Sequence, residues 1–298
     1  MQPFWMMALR VLFATVMIGE AAIGELWTYP VHDQEEYRSG HYTAKIAQGN
    51  NSQEVFVYRT LCPWHHHYKE PWVARNFAED NNWVSFSFDG RVVVTIKPIG
   101  VIPQSCELRP VGNAVAAAIV DDVVKVTVAK PGQYFVMING EHGMAHPFFV
   151  FANPPEKEVP HEHAKGVHYF GPGVHDIGYQ YRIKADETVY LAGGALVKGS
   201  LFYEGDNVVI RGRGILTDQK LMLDRCELAK SEKQAGVTNV WDINHDLWYK
   251  ERRATIYGEG SNARIEGITV IESPFYMVRT HGPGSIFTNL KLLSDLHN

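Results

Sequence analysis

The segment Thr188–Asp218 reads TVYLAGGALVKGSLFYEGDNVVIRGRGILTD, in which single glycines interrupt short β-branched runs. The pattern returns twice, as Ile265-Glu-Gly-Ile-Thr-Val-Ile-Glu-Ser273 and as Phe287-Thr-Asn-Leu-Lys-Leu-Leu-Ser-Asp295. Aligning Ile265 with Phe287 gives an offset of 22 residues, about one coil of a parallel β-helix. Because stacked coils present a long surface, the pattern predicts a solenoid and makes an extended polymer the first substrate to consider.

The length and the charge of the chain bound its domain count and its partners. Its 298 residues suit two domains that each bury a core. The formal net charge is −5, and Lys and Arg are not clustered along the sequence. Since binding to a phosphate backbone needs such clusters, we expect no nucleic-acid partner.

The first 24 residues have the character of a signal peptide. Arg10 precedes a short apolar run, Val11–Ile18, and the small residues Ala22 and Gly24 follow it. The run is shorter than the roughly 20 apolar residues of a transmembrane helix. We therefore expect a secreted protein, extracellular or periplasmic, with no membrane association after cleavage; an uncleaved membrane anchor is the alternative.

The three cysteines leave two alternatives open. In an oxidising compartment Cys62 and Cys106 could pair within the first domain, which would leave Cys226 without a partner. The alternative is three unpaired thiols.

Residues 25–153 have the texture of a β-sandwich, because apolar and polar positions alternate in short segments separated by turn residues. The predicted strands include Tyr42–Ala47, Glu54–Arg59, Trp83–Phe88, Arg91–Lys97, Val123–Ala129 and Gln133–Ile138. Asp89-Gly90 predicts a hairpin, and Pro131-Gly132 predicts a second turn.

The second half of the chain begins after a predicted linker. Two adjacent prolines and a run of charges assign residues 154–166 to that linker, and residues 167–298 to the β-helix. Within the β-helix, Gln219–Arg253 breaks the repeat and predicts an insertion on one face of the solenoid, often the binding face.

Three segments resemble a known group of proteins, namely Val167–His175, Thr188–Gly199 and Asn207–Leu216. They resemble the opening coils of pectin-lyase-like right-handed β-helix glycoside hydrolases, nearest to the polygalacturonase family and to the dextranase and isopullulanase family. The latter family also carries a β-sandwich ahead of its β-helix. The resemblance thus implies an all-β protein with an N-terminal β-sandwich followed by the first coils of a right-handed parallel β-helix.

The same resemblance implies an activity. It implies a secreted enzyme that degrades a polysaccharide by hydrolysing O-glycosyl bonds of an α-linked, pectin-like or dextran-like glycan. The implied chemistry is inverting acid–base catalysis without a cofactor, in a protein that is monomeric at full length. Two alternatives remain open: a non-catalytic carbohydrate-binding or adhesion protein, and a polysaccharide lyase of the same fold, which would need a Lys or Arg base and often calcium.

The catalytic motif of the family has no full counterpart in this sequence. An Asn-Thr-Asp-Gly motif normally follows the coil that here ends at Asn298, and only Asn298 matches it. We therefore expect the sequence to be truncated at its C-terminus, with the catalytic aspartates beyond it and the 298-residue chain inactive. Glu272 and Asp295 lie about one coil apart, but two solvated turn carboxylates are the simpler interpretation, so no catalytic residue is assigned and Asp295 is only a weak candidate.

The segment Glu272–Arg279 resembles the family's coil in which a Ser-Pro-aromatic-aromatic run leads to a histidine that faces the cleft. Arg279 stands where that histidine is common, and His281 follows two residues later. Strand alternation places Arg279 and His281 on one face, pointing outward, and Tyr276 with Val278 on the other, with Val278 pointing inward.

Aromatic side chains are the second type of candidate for sugar contact. A pyranose has an apolar face that stacks on an aromatic ring, whereas the ordinary role of such rings is core packing. The candidates are Trp241, Trp248, Tyr249 and Tyr276. The predicted substrate-binding residues are therefore Tyr276, Arg279, His281 and Trp248.

Histidines occur in three places without predicting a metal site. The run Trp64-His-His-His-Tyr68 alternates faces in an extended chain and has no Cys or carboxylate at a zinc-like spacing, which favours an exposed loop. His161 and His163 lie in the predicted linker, which favours a solvated segment. His142 and His146 lie on a glycine-containing turn and make no stronger case for metal binding.

Overall fold

The computed structural model describes residues 24–61, 79–112, 115–219, 254–273 and 276–293. These residues form 23 β-strands, one short α-helix, α1 (Glu141–Ala145), and one 3-10 helix (Glu35–Tyr37). The protein is all-β, with a β-sandwich followed by a right-handed parallel β-helix, which confirms the predicted fold class. No helix in the described part of the chain combines the length and the apolar character needed to cross a membrane.

Two sheets form the sandwich. The first sheet, in the order β1-β5-β11-β10-β7 with β4 beside β5, contains β1 (Leu26–Thr28), β4 (Tyr58–Arg59), β5 (Asn82–Phe88), β7 (Cys106–Arg109), β10 (Gly132–Ile138) and β11 (Phe148–Asn153). The second sheet, in the order β3-β2-β6-β9-β8, contains β2 (Tyr42–Gln48), β3 (Asn51–Val55), β6 (Val92–Pro98), β8 (Val115–Val120) and β9 (Val123–Val128). Alternate apolar side chains of the two sheets bury one core between them.

The Asp89-Gly90 turn does not form the predicted hairpin. Strand β5 pairs with β1 and β11 in the first sheet, whereas β6 pairs with β2 and β9 in the second. Gly90 does adopt a positive φ of 78°, but the Asp89 N–H donates to the Glu25 carbonyl at 2.8 Å and thereby holds the turn against β1. The turn therefore carries the chain from one sheet to the other, as does Pro131-Gly132 between β9 and β10.

The predicted strand Glu54–Arg59 is two strands. Its first part belongs to β3 in the second sheet, and its second part is β4 in the first sheet. The chain changes sheets between them, at Phe56 and Val57. A continuous apolar pattern therefore concealed a crossing within the sandwich.

The β-helix has three faces and five coils within the described residues. Its first face contains β12 (Val167–Phe170), β14 (Thr188–Leu191), β16 (Val209–Gly212), β19 (Arg264–Glu266) and β22 (Ile286–Thr288), all parallel. Two long strands, β13 (Gly173–Ile183) and β15 (Ala195–Tyr203), run along both other faces. The second face continues as β17 (Ile215–Thr217), β20 (Thr269–Ile271) and β23 (Lys291–Leu293), and the third face as β18 (Ala254–Gly258) and β21 (Tyr276–Thr280).

The pairing of the strands reproduces the sequence repeat. Ile265 pairs with Phe287, and Val270 pairs with Leu292, so the predicted offset of 22 residues is confirmed. On the preceding coil Val209 pairs with Arg264, which places the predicted insertion between β17 and β18. Most of that insertion, residues 220–253, lies outside the described residues.

A column of polar residues marks one corner of the β-helix. Asp186, Asn207 and Asn262 precede the first-face strands of successive coils, and their φ angles are 63°, 58° and 57°. The Asn207 side-chain amide donates to Asp186 at 2.9 Å, and that of Asn262 donates to Asn207 at 3.4 Å. Since Asn and Asp tolerate the left-handed conformation better than most residues, the column both turns the chain and links the coils.

The sandwich packs against the second face of the β-helix. Tyr37, Tyr58, Trp83 and Phe151 of the sandwich form one buried cluster with four residues that project outward from that face, namely Leu196, Ile215, Ile271 and Leu293. The predicted linker is also attached, because Arg213 donates to the Pro154 carbonyl at 3.1 Å and Arg211 to the Lys157 carbonyl at 2.6 Å. The two halves of the molecule thus share a core.

Candidate functional site

The third face of the β-helix carries a row of outward-facing side chains. Arg182, Phe202, Tyr257 and Arg279 are paired in register across β13, β15, β18 and β21, and we call them the arginine–aromatic row. Phe202 and Tyr257 belong to an apolar cluster that is separate from the interior of the β-helix. Strand alternation and stacking of the coils together bring residues from four coils into one line.

The row consists of an aromatic pair between two cations. The Phe202 and Tyr257 rings are stacked, with centroids 5.8 Å apart and planes 21° apart. The Arg182 guanidinium lies 4.8 Å from the Phe202 centroid, and that of Arg279 lies 5.8 Å from the Tyr257 centroid. Such contacts hold planar cationic groups in place over the aromatic faces.

The exposed end of the row is formed by Tyr276, Arg279 and His281. The Arg279 guanidinium also lies 5.6 Å from the Tyr276 centroid, and the His281 ring lies 5.5 Å from that of Tyr257. Tyr276 is 43% exposed, whereas Phe202 and Tyr257 are buried. The Ser273 hydroxyl donates to the Tyr276 carbonyl at 2.6 Å and fixes the start of the strand. An aromatic face beside two hydrogen-bond donors can stack on a sugar ring and bind its hydroxyl or carboxylate oxygens.

Two carboxylates border the row on adjacent strands. Glu204 lies 3.7 Å from Arg182, and Glu259 accepts a hydrogen bond from the Tyr257 hydroxyl at 3.1 Å. The Glu259 N–H donates to the Tyr203 carbonyl at 2.9 Å, which keeps the two acidic residues at the same level of successive coils. Carboxylates in this position can accept hydrogen bonds from sugar hydroxyls. The sequence did not single them out, although both directly follow a strand end.

The structure brings three of the four predicted substrate-binding residues together. Arg279 and His281 lie on the same outward face, as strand alternation predicts, and Val278 packs toward the interior. The prediction for Tyr276 was wrong, because this residue does not share the face of Val278. Met277 packs toward the interior beside Val278, so regular alternation begins only after the first residues of β21. Trp248, Trp241 and Tyr249 lie outside the described residues, as does Asp295.

Glu272 is not the solvated turn carboxylate that the sequence predicts. It is 2% exposed and lies between the sandwich and the β-helix. One carboxylate oxygen accepts the Leu61 N–H, and the other accepts the Thr217 hydroxyl at 3.2 Å. Burial raises the pKa of the neighbouring Tyr37 hydroxyl, and the charge of Glu272 adds to that shift. Its contacts assign Glu272 to the interface between the two halves rather than to the arginine–aromatic row.

The histidines and cysteines have different outcomes. His161 and His163 are exposed, as predicted, and His65, His66 and His67 lie outside the described residues. His142 lies in α1, and His146 directly after it, where His146 meets His41 and Asp80; the sequence gave no reason to group these three.

Cys106 carries a free, half-buried thiol, which fits the alternative of unpaired thiols. Burial raises the pKa of this thiol. Cys62 and Cys226 lie outside the described residues.

Comparison with known proteins supports the fold. The structure is similar to Dex49A from Penicillium minioluteum, with a TM-score of 0.62 and 18% sequence identity, over 86% of this chain and 58% of that chain. A candidate glycosyl hydrolase from Parabacteroides merdae matches with a TM-score of 0.30 and 15% identity, over 41% of this chain and 59% of that chain, and carries no argument. No family model and no curated protein sequence matches the chain. The chain thus shares the fold of Dex49A and spans 58% of its length.

Proposed function

We propose that the protein is a secreted glycoside hydrolase that acts on an α-linked, pectin-like or dextran-like polysaccharide by inverting acid–base chemistry. Two arguments support an enzyme of this kind: the resemblance of its coils to those of β-helix glycoside hydrolases, and the likeness of its fold to that of Dex49A. The exposed end of the arginine–aromatic row would contact the glycan.

The observation that carries this proposal is the grouping of Tyr276, Arg279 and His281 on one surface of the β-helix. The Tyr276 ring offers an exposed face of the size of a pyranose, and the Arg279 guanidinium is held at its edge. Glu204 and Glu259 border the same surface and add acceptors for sugar hydroxyls. A row that spans four coils matches the shape of an extended chain of sugars better than that of a small ligand.

Binding is tested by electrophoresis of the 298-residue protein through gels that contain dextran or polygalacturonate. We expect at least one of the two glycans to retard the protein. The substitution Tyr276→Ala should weaken that binding about tenfold, since truncating an aromatic anchor costs ~1 kcal/mol or more. Trp27→Ala is the matched control, because Trp27 is a similarly exposed aromatic residue on the sandwich. Equal retardation of the wild type and Tyr276→Ala would overturn the assignment of this surface.

Hydrolysis is tested separately, by the release of reducing ends and by the anomeric configuration of the first product. Inverting cleavage of an α-linkage gives a β-anomer first, which NMR detects before mutarotation. A first product with the α-configuration would contradict the inverting mechanism. Unsaturated products that absorb in the ultraviolet would indicate a lyase instead.

A second candidate function is glycan binding without cleavage. It is favoured by the burial of Glu272, which removes this carboxylate from the surface that carries Tyr276 and Arg279. Retarded migration that depends on Tyr276, together with no product from either glycan, would support this function over hydrolysis.

A further inference from the structure

Three segments of the sandwich converge on a cluster of possible metal ligands far from the arginine–aromatic row. His41 directly precedes β2, Asp80 lies two residues before β5, and His146 follows α1. One nitrogen of each histidine and one oxygen of Asp80 all lie within 4.8 Å of one another. No other group of this kind occurs among the described residues.

The side chains are in close contact. The His146 Nδ1 atom lies 2.8 Å from Asp80 Oδ1, and the His41 Nε2 atom lies 3.5 Å from Asp80 Oδ2. The two imidazole rings are stacked, with centroids 3.6 Å apart and planes 18° apart. A single carboxylate thus faces two parallel imidazoles.

Neighbouring residues fix the orientation of these groups. The Asn82 amide donates to Asp80 Oδ1 at 2.9 Å, and the Ser39 hydroxyl in turn donates to Asn82 at 2.6 Å. The Tyr42 hydroxyl donates to the His146 carbonyl at 2.7 Å. Hydrogen bonds of this kind to a ligand's other atoms are typical of the residues around metal sites.

A fourth histidine completes the surroundings. The His142 ring lies 5.2 Å from that of His146, and its Nε2 atom is buried without a hydrogen-bond partner among the described residues. Glu79 adds a carboxylate oxygen 3.7 Å from His146 Nε2. Burial lowers the pKa of His41 and of His142, which favours the neutral imidazole that binds metal ions.

We propose that His41, Asp80 and His146 bind a divalent transition-metal ion, with zinc as the best fit. Zinc prefers imidazole nitrogen and carboxylate oxygen at about 2.0–2.2 Å, which places neighbouring ligand atoms of a tetrahedron ~3.4 Å apart. The observed separations of 2.8 and 3.5 Å lie on either side of that value. The ion would replace the hydrogen bond between His146 and Asp80, with water as the fourth ligand.

Such an ion would have a structural role. His41 leads into a strand of the second sheet, whereas Asp80 and His146 lead into neighbouring strands of the first sheet. The ion would therefore join the two sheets at one end of the sandwich. This proposal is independent of the proposed activity toward glycans.

The test uses the full chain without a histidine tag, stripped with EDTA and dialysed against zinc. We expect one zinc ion per chain by elemental analysis, and a melting temperature that rises with zinc. Cobalt in place of zinc should give the visible absorption bands of a tetrahedral site. His41→Ala should weaken zinc binding at least about tenfold. Asp80→Asn provides a second variant, because the amide keeps a hydrogen-bond acceptor for His146.

Two control variants separate this cluster from the other histidines of the chain. The double substitution His161→Ala/His163→Ala and the triple substitution His65→Ala/His66→Ala/His67→Ala should both retain the bound zinc. The proposal is overturned if the stripped wild type takes up no zinc. It is equally overturned if the triple substitution abolishes binding while His41→Ala and Asp80→Asn leave it intact.

Discussion

At the scale of single residues, Lys291 is a charged group buried where the sandwich meets the β-helix. It is 1% exposed, and its Nζ atom donates to Asn153 Oδ1 at 2.5 Å and to the Gly267 carbonyl at 2.7 Å. Burial lowers the pKa of Lys291 well below its ordinary value of 10.5, and the nearby Arg213 guanidinium adds to the shift. The hydrogen bonds satisfy the ammonium group but do not replace its hydration.

This burial predicts a stability that depends on pH. The unfolded chain keeps the ordinary pKa, so it binds a proton over a pH range in which folded Lys291 has released one. The free energy of unfolding should therefore rise with pH up to about 10.5, by at most about 1.4 kcal/mol per pH unit. Urea unfolding at pH 7 and pH 9.5 measures this rise, and Lys291→Met should remove it.

The control for this prediction is Lys97→Met, which removes an exposed lysine from the sandwich. That variant should keep the pH dependence of the wild type. Identical slopes for the wild type and Lys291→Met would show that Lys291 stays protonated in the folded protein.

At the scale of structural elements, the corner formed by Asp186, Asn207 and Asn262 combines two properties of one residue type. The backbone of Asn207 is left-handed, with φ of 58°, and its side chain bonds to the coils on both sides. A substitution can remove either property alone. Glycine keeps the left-handed backbone and loses the side-chain bonds, whereas alanine loses both.

We therefore expect Asn207→Ala to destabilise the protein more than Asn207→Gly, by about 1 kcal/mol. The midpoint of urea unfolding gives both values under the same conditions. Gly40→Ala is a suitable control, because an added methyl group there would meet no atom within 4 Å. If Asn207→Gly proves as harmful as Asn207→Ala, the side-chain bonds rather than the backbone conformation dominate at this corner.

The elements also show what the sequence could and could not predict. The coils were predictable because a fixed offset repeats the apolar positions, and Ile265 indeed pairs with Phe287. The Asp89-Gly90 hairpin failed because a turn signal specifies only local φ angles, while the choice of partner strand is made by the whole core.

The site shows the same limit. Arg279 and His281 were predictable because they lie two residues apart on one strand, whereas Phe202 and Tyr257 meet only through coils separated by an insertion. The cluster of His41, Asp80 and His146 brings together three distant segments, and no spacing in the sequence links them. Local chemistry was therefore predictable, but contacts between distant segments were not.

At the scale of the whole molecule, the shared core should make the sandwich and the β-helix unfold together. Trp83 and Phe151 contribute to the same buried cluster as Leu196 and Ile271 of the β-helix. Hydrogen bonds cross the same boundary, including Gln34 to the Gly194 carbonyl at 2.8 Å. An interface that is both apolar and hydrogen-bonded gives neither half an independent surface.

We therefore expect a single transition in differential scanning calorimetry of the full chain. Leu201→Ala, inside the β-helix and away from the interface, should lower the temperature of that whole transition, since a buried Leu→Ala change costs about 2–5 kcal/mol. Tryptophan fluorescence, which includes Trp83 of the sandwich, should report the same midpoint as calorimetry for the wild type and for the variant. Two peaks, of which Leu201→Ala shifts only one, would show that the halves unfold separately and that the shared cluster is too weak to couple them.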